Sequence, residues 1–441
     1  MINPEFQRNI WLEFTLHRLL ATPIIIGAVF LLLFLSSSSL EGFWVLANNV
    51  SMILLVVIML FWGVRQAAEA VSTEIKDRTW DGQRMSAISP WSLAWGKLFG
   101  STLFTWYTAI FCVALYYISG KAAGIEYTTL KTIVVVLSGL LTQAIALLAS
   151  MNVIQKNRDQ SRSSSTAVFA VVVTIGGISL YAAMDARTTV DWFGMSYDGL
   201  PFISLSMLVW LVWAYIGIYR YMRSELQLRN GPIVWTAFMI FALLYSAGFI
   251  NISIFDQDHI VATRMFYVYN ILLASVYMLL LTEKKDPILF RRAFKKLRDN
   301  RYIRFSEELT NWPINMAMLI LFAIFFLASK YSGLTLQNEM VNINNYILAS
   351  IVFMFRDAGI ILFFSFSANP KRIEVTSIIY LAILYLLIPK ILDLMGLSYL
   401  SAALIPTSGV NIWFTIVAAC LQVVLVGWML RNRWQQFFRI A

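Results

Sequence analysis

The chain has 441 residues, 59% of them hydrophobic and 13% charged, with a mean hydropathy of +0.70 and a formal net charge of +10. So apolar a chain cannot be buried in one water-soluble core, which excludes an ordinary soluble enzyme and points to an all-α, polytopic helical membrane protein. The basic excess does not point to nucleic acid, because the cations fall loop by loop between apolar runs, as topology and anionic lipid require.

Residues Pro4 to Leu20 read as an amphipathic helix lying along the inner membrane surface. Phe6, Ile10, Phe14 and either Leu16 or His17 take one side, and Glu5, Arg8, Asn9 and Glu13 the other. Glu5, Arg8, Glu13 and Arg18 precede any apolar run, so no cleavable signal pattern is read and the first span is expected to remain as an anchor. A helix needs about 20 mostly apolar residues to cross the hydrocarbon. Six candidate spans form a first group: Leu19 to Ser37, Phe43 to Val64, Phe99 to Ile118, Thr132 to Ile154, Thr166 to Met184 and Pro201 to Tyr219. A second group follows at Ile233 to Ile252, Thr263 to Leu281, Ile314 to Ser329, Ile343 to Phe366, Ser377 to Leu394 and Ile412 to Leu430. The expectation is about twelve transmembrane helices.

With the N-terminus inside, most of the 34 basic residues fall in cytoplasmic segments, including the run from Lys284 to Arg304, so the chain is read as N-in and C-in. Asp286 to Arg304 repeats the amphipathic character of the start. Both segments are read either as topology anchors on anionic lipid or as the openings of an internal duplication, NPEF at Asn3 matching DPIL at Asp286. A second local match, SAISP ending at Pro90 and SANP ending at Pro370, would leave the second copy shortened, beginning at about residue 284. Cys112 and Cys420 both lie in expected spans, so neither a disulfide framework nor a cysteine metal site is expected. His259, with Asp256 and Asp258, is read as solvated loop rather than as a metal site.

Ionisable residues inside spans are costly and often functional. Lys390 and Asp393, three apart, are read as an ion pair on one helix face. Arg356 and Asp357 admit two readings. They are either intramembrane charges or the start of a second interfacial element running to Pro370, with the tenth span ending at Phe355.

The segment from Glu74 to Lys97 stands out between spans two and three. Residues 65–98 exceed what two helices need to turn around, and as helix they would reach on the order of 50 Å. Trp80, Trp91 and Trp95 are large anchors of the kind found at interface cores, with Arg78, Asp81 and Arg84 as polar contacts. The alternative is an interfacial aromatic belt, which suits Trp91 and Trp95 better than Trp80. Ser89 and Pro90 restart a helix as cap and first-turn residue.

Glu74, Arg78, Thr79, Ser89, Pro90, Gly96 and Lys97 follow a pattern that resembles the first cytoplasmic loop of ABC-2 type transporter permeases, and NPEFQRNIWLEF is similar to the start of members associated with multicopper-enzyme maturation. The resemblance covers residues 1 to about 225. It implies a six-span permease unit whose coupling segment (Glu74, Arg78, Thr79, Trp80, Asp81, Arg84, Ser89, Pro90) sits in a groove of a separate ABC ATPase. Residues 226–441 would be an additional membrane region of about six spans. This chain has no G-x-x-x-x-G-K-[ST] loop, so ATP and Mg would belong to the partner subunit, and the chain itself is expected to bind no cofactor or metal and to be no enzyme. A second permease copy is a further expected partner, the bacterial inner membrane the expected location, and the substrate is left open. Two rivals stand beside this reading: a proton-coupled carrier, faintly suggested by Asp77, Arg78 and Arg84, and a non-transporting scaffold for enzyme maturation.

Overall fold

The computed structural model describes residues 3–86, 88–156, 189–252, 254, 259–283, 285, 287–331, 334–336, 339–366, 373–406 and 412–440. It divides into two compact units, Met1–Val190 with Ser196–Asn230, and Asp191–Met195 with Gly231–Ala441.

In the first unit, α1 (Pro4–Glu13) opens on a cap: the Asn3 side chain accepts from the Glu5 and Phe6 amides, and Pro4 sits where no amide hydrogen is needed. Then follow α2 (Leu16–Ser36), α3 (Leu40–Leu55), a π-helical stretch Val56–Gly63, and α4 (Val64–Lys76), the last three forming one long rod. Arg78, at a φ of 56°, ends α4 in the left-handed conformation, and the Arg78 and Thr79 amides return to the Ile75 and Glu74 carbonyls. After the short α5 (Trp80–Met85), α6 (Pro90–Ser101) begins with the Ser89 hydroxyl accepting from the Ser92 amide, the cap and proline expected from the sequence. The unit closes with α7 (Leu103–Ala122), α8 (Thr128–Lys156) and α9 (Gly199–Glu225). Its core falls into two clusters, one around Leu55, Met59, Ala109 and Cys112, the other around Val64, Trp80, Leu93, Leu147 and Ile218.

The second unit holds α10 (Ile233–Ala247), α11 (Ile260–Thr282), the amphipathic α12 (Pro287–Arg298), α13 (Tyr302–Glu308) and α14 (Asn311–Leu327). It continues with α15 (Ile343–Ser365), α16 (Ile373–Ala382), a π-helical turn Ile383–Leu387, α17 (Ile388–Leu394) and α18 (Ile412–Ile440). Tyr269, Leu272, Val276, Leu319, Ile347 and Met354 anchor its main core.

Among the described residues, nine helices are long and apolar enough to cross a membrane, or ten if α13 and α14, bent by 110° at their junction, count as one. The protein is therefore an all-α, multi-pass membrane protein. Three of the twelve expected spans stand apart: Thr166 to Met184 lies outside the described residues, Ile233–Ala247 is shorter than a span, and Asn311–Leu327 reaches span length only with its bent neighbour.

Candidate functional site

The segment from Glu74 to Lys97 is folded onto the first unit through a buried ion cluster. Lys97 Nζ donates to Glu5 Oε1 at 2.6 Å and to Glu74 Oε2, with the Lys97 and Glu5 side chains 2% and 3% exposed. Arg8 Nη1 donates to Glu74 Oε1 at 2.8 Å and to Glu5 Oε1 at 3.2 Å, and Gln83 Nε2 also donates to Glu74. Two cations thus answer two carboxylates, the condition under which burying such charges is tolerable. The hydrogen bond to Glu74, more than any other contact, raises the pKa of Arg8 above its ordinary value.

Two glycines let α1 approach closely enough for this. A Cβ on Gly96 would stand 2.6 Å from the Glu5 Cβ, and one on Gly100 would stand 2.5 Å from the Asn9 side-chain nitrogen. Spaced by four, they leave one bare stripe on α6, and the Asn3 side chain completes the contact by donating to the Ser92 carbonyl at 2.5 Å. Glu5, on the polar side of α1, is therefore buried against protein and Arg8 and Asn9 are half-buried, while Trp11 and Leu12 point outward. That departs from an amphipathic helix lying on the surface with all its polar residues in water, and most clearly at Glu5.

Trp80 is corrected as well. Read as a docking anchor, it is 2% exposed: Lys97 lies 5.5 Å over its ring, and its indole nitrogen donates to Glu225 Oε2 at 3.4 Å. Arg84 donates from Nε to the Glu225 carbonyl at 2.9 Å and pairs with Asp81. Trp80 and Arg84 thus tie the segment to the end of α9 and are not free to grip a partner. What does face outward is Lys76, Asp77, Arg78, Thr79, Asp81, Met85 (89% exposed), Ser86 and Ser89. Pro90 is half-buried, and the exposed Trp91 meets Tyr215 and Tyr219 edge-on, with ring centroids 4.9 and 5.9 Å away.

The second unit carries a different polar node. Arg356 and Asp357 sit inside the unbroken helix α15, not beyond a helix end at Phe355; an apolar run through Ser365 keeps the helix going. At 1% and 0% exposed they are joined at 2.8 Å, and Asp357 also accepts the hydroxyls of Tyr277 (2.7 Å) and Tyr385 (2.6 Å). Arg356 Nη1 donates to Gln422 Oε1 at 2.8 Å and to the Leu404 carbonyl at 3.3 Å, and the guanidinium lies over the Phe353 and Tyr385 rings. Among the described residues its Nη2 has no hydrogen-bond partner. Pro370, the expected end of a second interfacial element, lies outside the described residues. Lys390 and Asp393 share α17 and are both exposed, and among the described residues no ion pair joins them.

Sequence reasoning missed Glu5, Arg8 and Glu225 as partners of the segment, and Tyr277, Tyr385 and Gln422 as partners of the buried pair. The one usable signal was a charged residue with no solvent-facing reason to be where it is, as at Lys97 on an apolar helix. Compared with known proteins, the chain matches no family model, no curated protein and no solved structure.

Proposed function

We propose that this chain is the membrane-spanning subunit of an ATP-driven, ABC-2-like transporter in a bacterial inner membrane, exporting or translocating a substrate while a separate ATPase subunit hydrolyses ATP. In this reading the chain is N-in and C-in with about twelve spans, catalyses nothing itself, and works with an ATPase that holds ATP and Mg. One observation carries the proposal: the outward strip from Lys76 to Met85 belongs to a segment bolted by the Glu5–Lys97–Glu74–Arg8 cluster and by Trp80 to α1, α4, α6 and α9. A push on that strip would move helices rather than bend a loose loop, which is what converting binding energy into a conformational switch requires. The exposed Lys76, Asp77, Arg78, Thr79, Asp81 and Met85 would meet the ATPase; Glu74, Trp80 and Arg84 would transmit.

The proton-coupled alternative gains no support from the second unit. Asp357 is already engaged by Arg356 and two tyrosine hydroxyls, an arrangement suited to a structural ion pair.

The test is co-purification in mild detergent. An ATPase should accompany the wild-type chain and be lost from a K76E/R78G/M85A variant, whose changes are confined to exposed side chains, while the variant still elutes as a folded protein. Failure to recover any ATPase with the wild type would overturn the proposal.

A further inference from the structure

The stretch between α11 and α14 is pinned at its neck. Glu283, the residue after α11, accepts the Asn311 amide (3.2 Å), the Asn311 side chain (2.7 Å) and the Trp312 amide (3.2 Å) at the start of α14. Between these points α12 and α13 form a short helical pair joined by an ion pair from Lys296 to Glu308. Because α13 turns from α14 by 110°, a membrane-crossing α14 leaves α13 lying nearly in the plane of the bilayer surface.

The pair is also amphipathic in the sense such a surface needs. On α12, Ala293 and Pro287 are buried and Phe290 packs against Trp312 and Phe366, while Phe294 and Leu297 on the same side stay exposed, as do Tyr302 and Ile303 (78%) at the start of α13. Arg292, Lys295, Arg298, Arg301 and Arg304 are exposed around them. An apolar edge left uncovered by protein and bordered by cations matches a lipid interface with anionic headgroups. The other amphipathic segment, α1, does not share this character: Glu5 and Arg8 are consumed by the ion cluster.

We propose that α12 and α13 form a binding surface for anionic phospholipid, with Phe294, Leu297 and Ile303 entering the interface and Arg292, Lys295, Arg298, Arg301 and Arg304 meeting the headgroups. The full chain would be placed in nanodiscs of phosphatidylcholine alone or of phosphatidylcholine with phosphatidylglycerol, and amide hydrogen exchange followed over residues 287–308. Anionic lipid should slow exchange there by about tenfold or more, since several cations act together, with α15 unchanged as the internal control. R292E/K295E/R298E should abolish the difference, and so should high salt. Equal exchange in the two lipids overturns the proposal, as does a difference that survives charge reversal. The outcome is independent of whether an ATPase is recovered.

Discussion

Lys97 Nζ meets Glu5 Oε1 at 2.6 Å across 92 residues of chain, with both side chains buried. A lysine on the apolar helix α6 is thereby answered from the first turn of the protein, and Glu74 meets the same ammonium from a third helix. Removing Lys97 leaves Glu5 and Glu74 to share Arg8, with one carboxylate charge in excess. K97M should destabilise the detergent-solubilised protein by about 3–5 kcal/mol, and E5Q/K97M by less than K97M alone, because one stranded charge is gone. Thermal or denaturant unfolding in one detergent checks both.

Gly96 is where α1 comes closest. G96A needs the Glu5 side chain and the helix carrying it to move, since the new Cβ would stand 2.6 Å from the Glu5 Cβ. The expected result is faster exchange or proteolysis over residues 3–13, with a loss of about 1–3 kcal/mol. At Gly82 a Cβ would meet nothing within 4 Å, and G82A should be neutral or slightly stabilising.

Asp357 neutralises a guanidinium that has nowhere else to send its charge. D357N should cost about 3–5 kcal/mol by leaving Arg356 buried and uncompensated, whereas Y385F, which deletes one hydroxyl donor, should cost about 1–2 kcal/mol. The contrast between the two unfolding midpoints is the measurement.

Glu283 supplies a pH dependence. Burial raises its pKa, against the opposing hydrogen bonds from the Trp312 amide and from Asn311. An acid whose folded pKa lies above its unfolded value binds more protons when folded, so stability falls as pH rises from the unfolded value of 4.5 through the folded one and is level beyond it. E283Q, which keeps an acceptor for α14 without the charge, should flatten that slope, and unfolding across mildly acidic pH would show it.

For Lys390 the expectation is a null effect. Exposed and unjoined to Asp393, it should tolerate K390A within about 0.5 kcal/mol, as the same unfolding assay would read.

The membrane class, most of the spans and the helix restart at Ser89 and Pro90 were legible in the sequence alone, because hydropathy and capping chemistry act within a few residues of one another. Local pattern could not decide which way Trp80 points, that α1 turns Glu5 inward, or that α15 runs on through Arg356 and Asp357. Each of those depends on a partner far along the chain: Glu225 for Trp80, Lys97 for Glu5, Tyr277, Tyr385 and Gln422 for the buried pair. A charge inside an apolar helix is affordable only when other helices bring it a counter-charge and hydrogen bonds, and that supply is a property of packing, which only the tertiary structure decides.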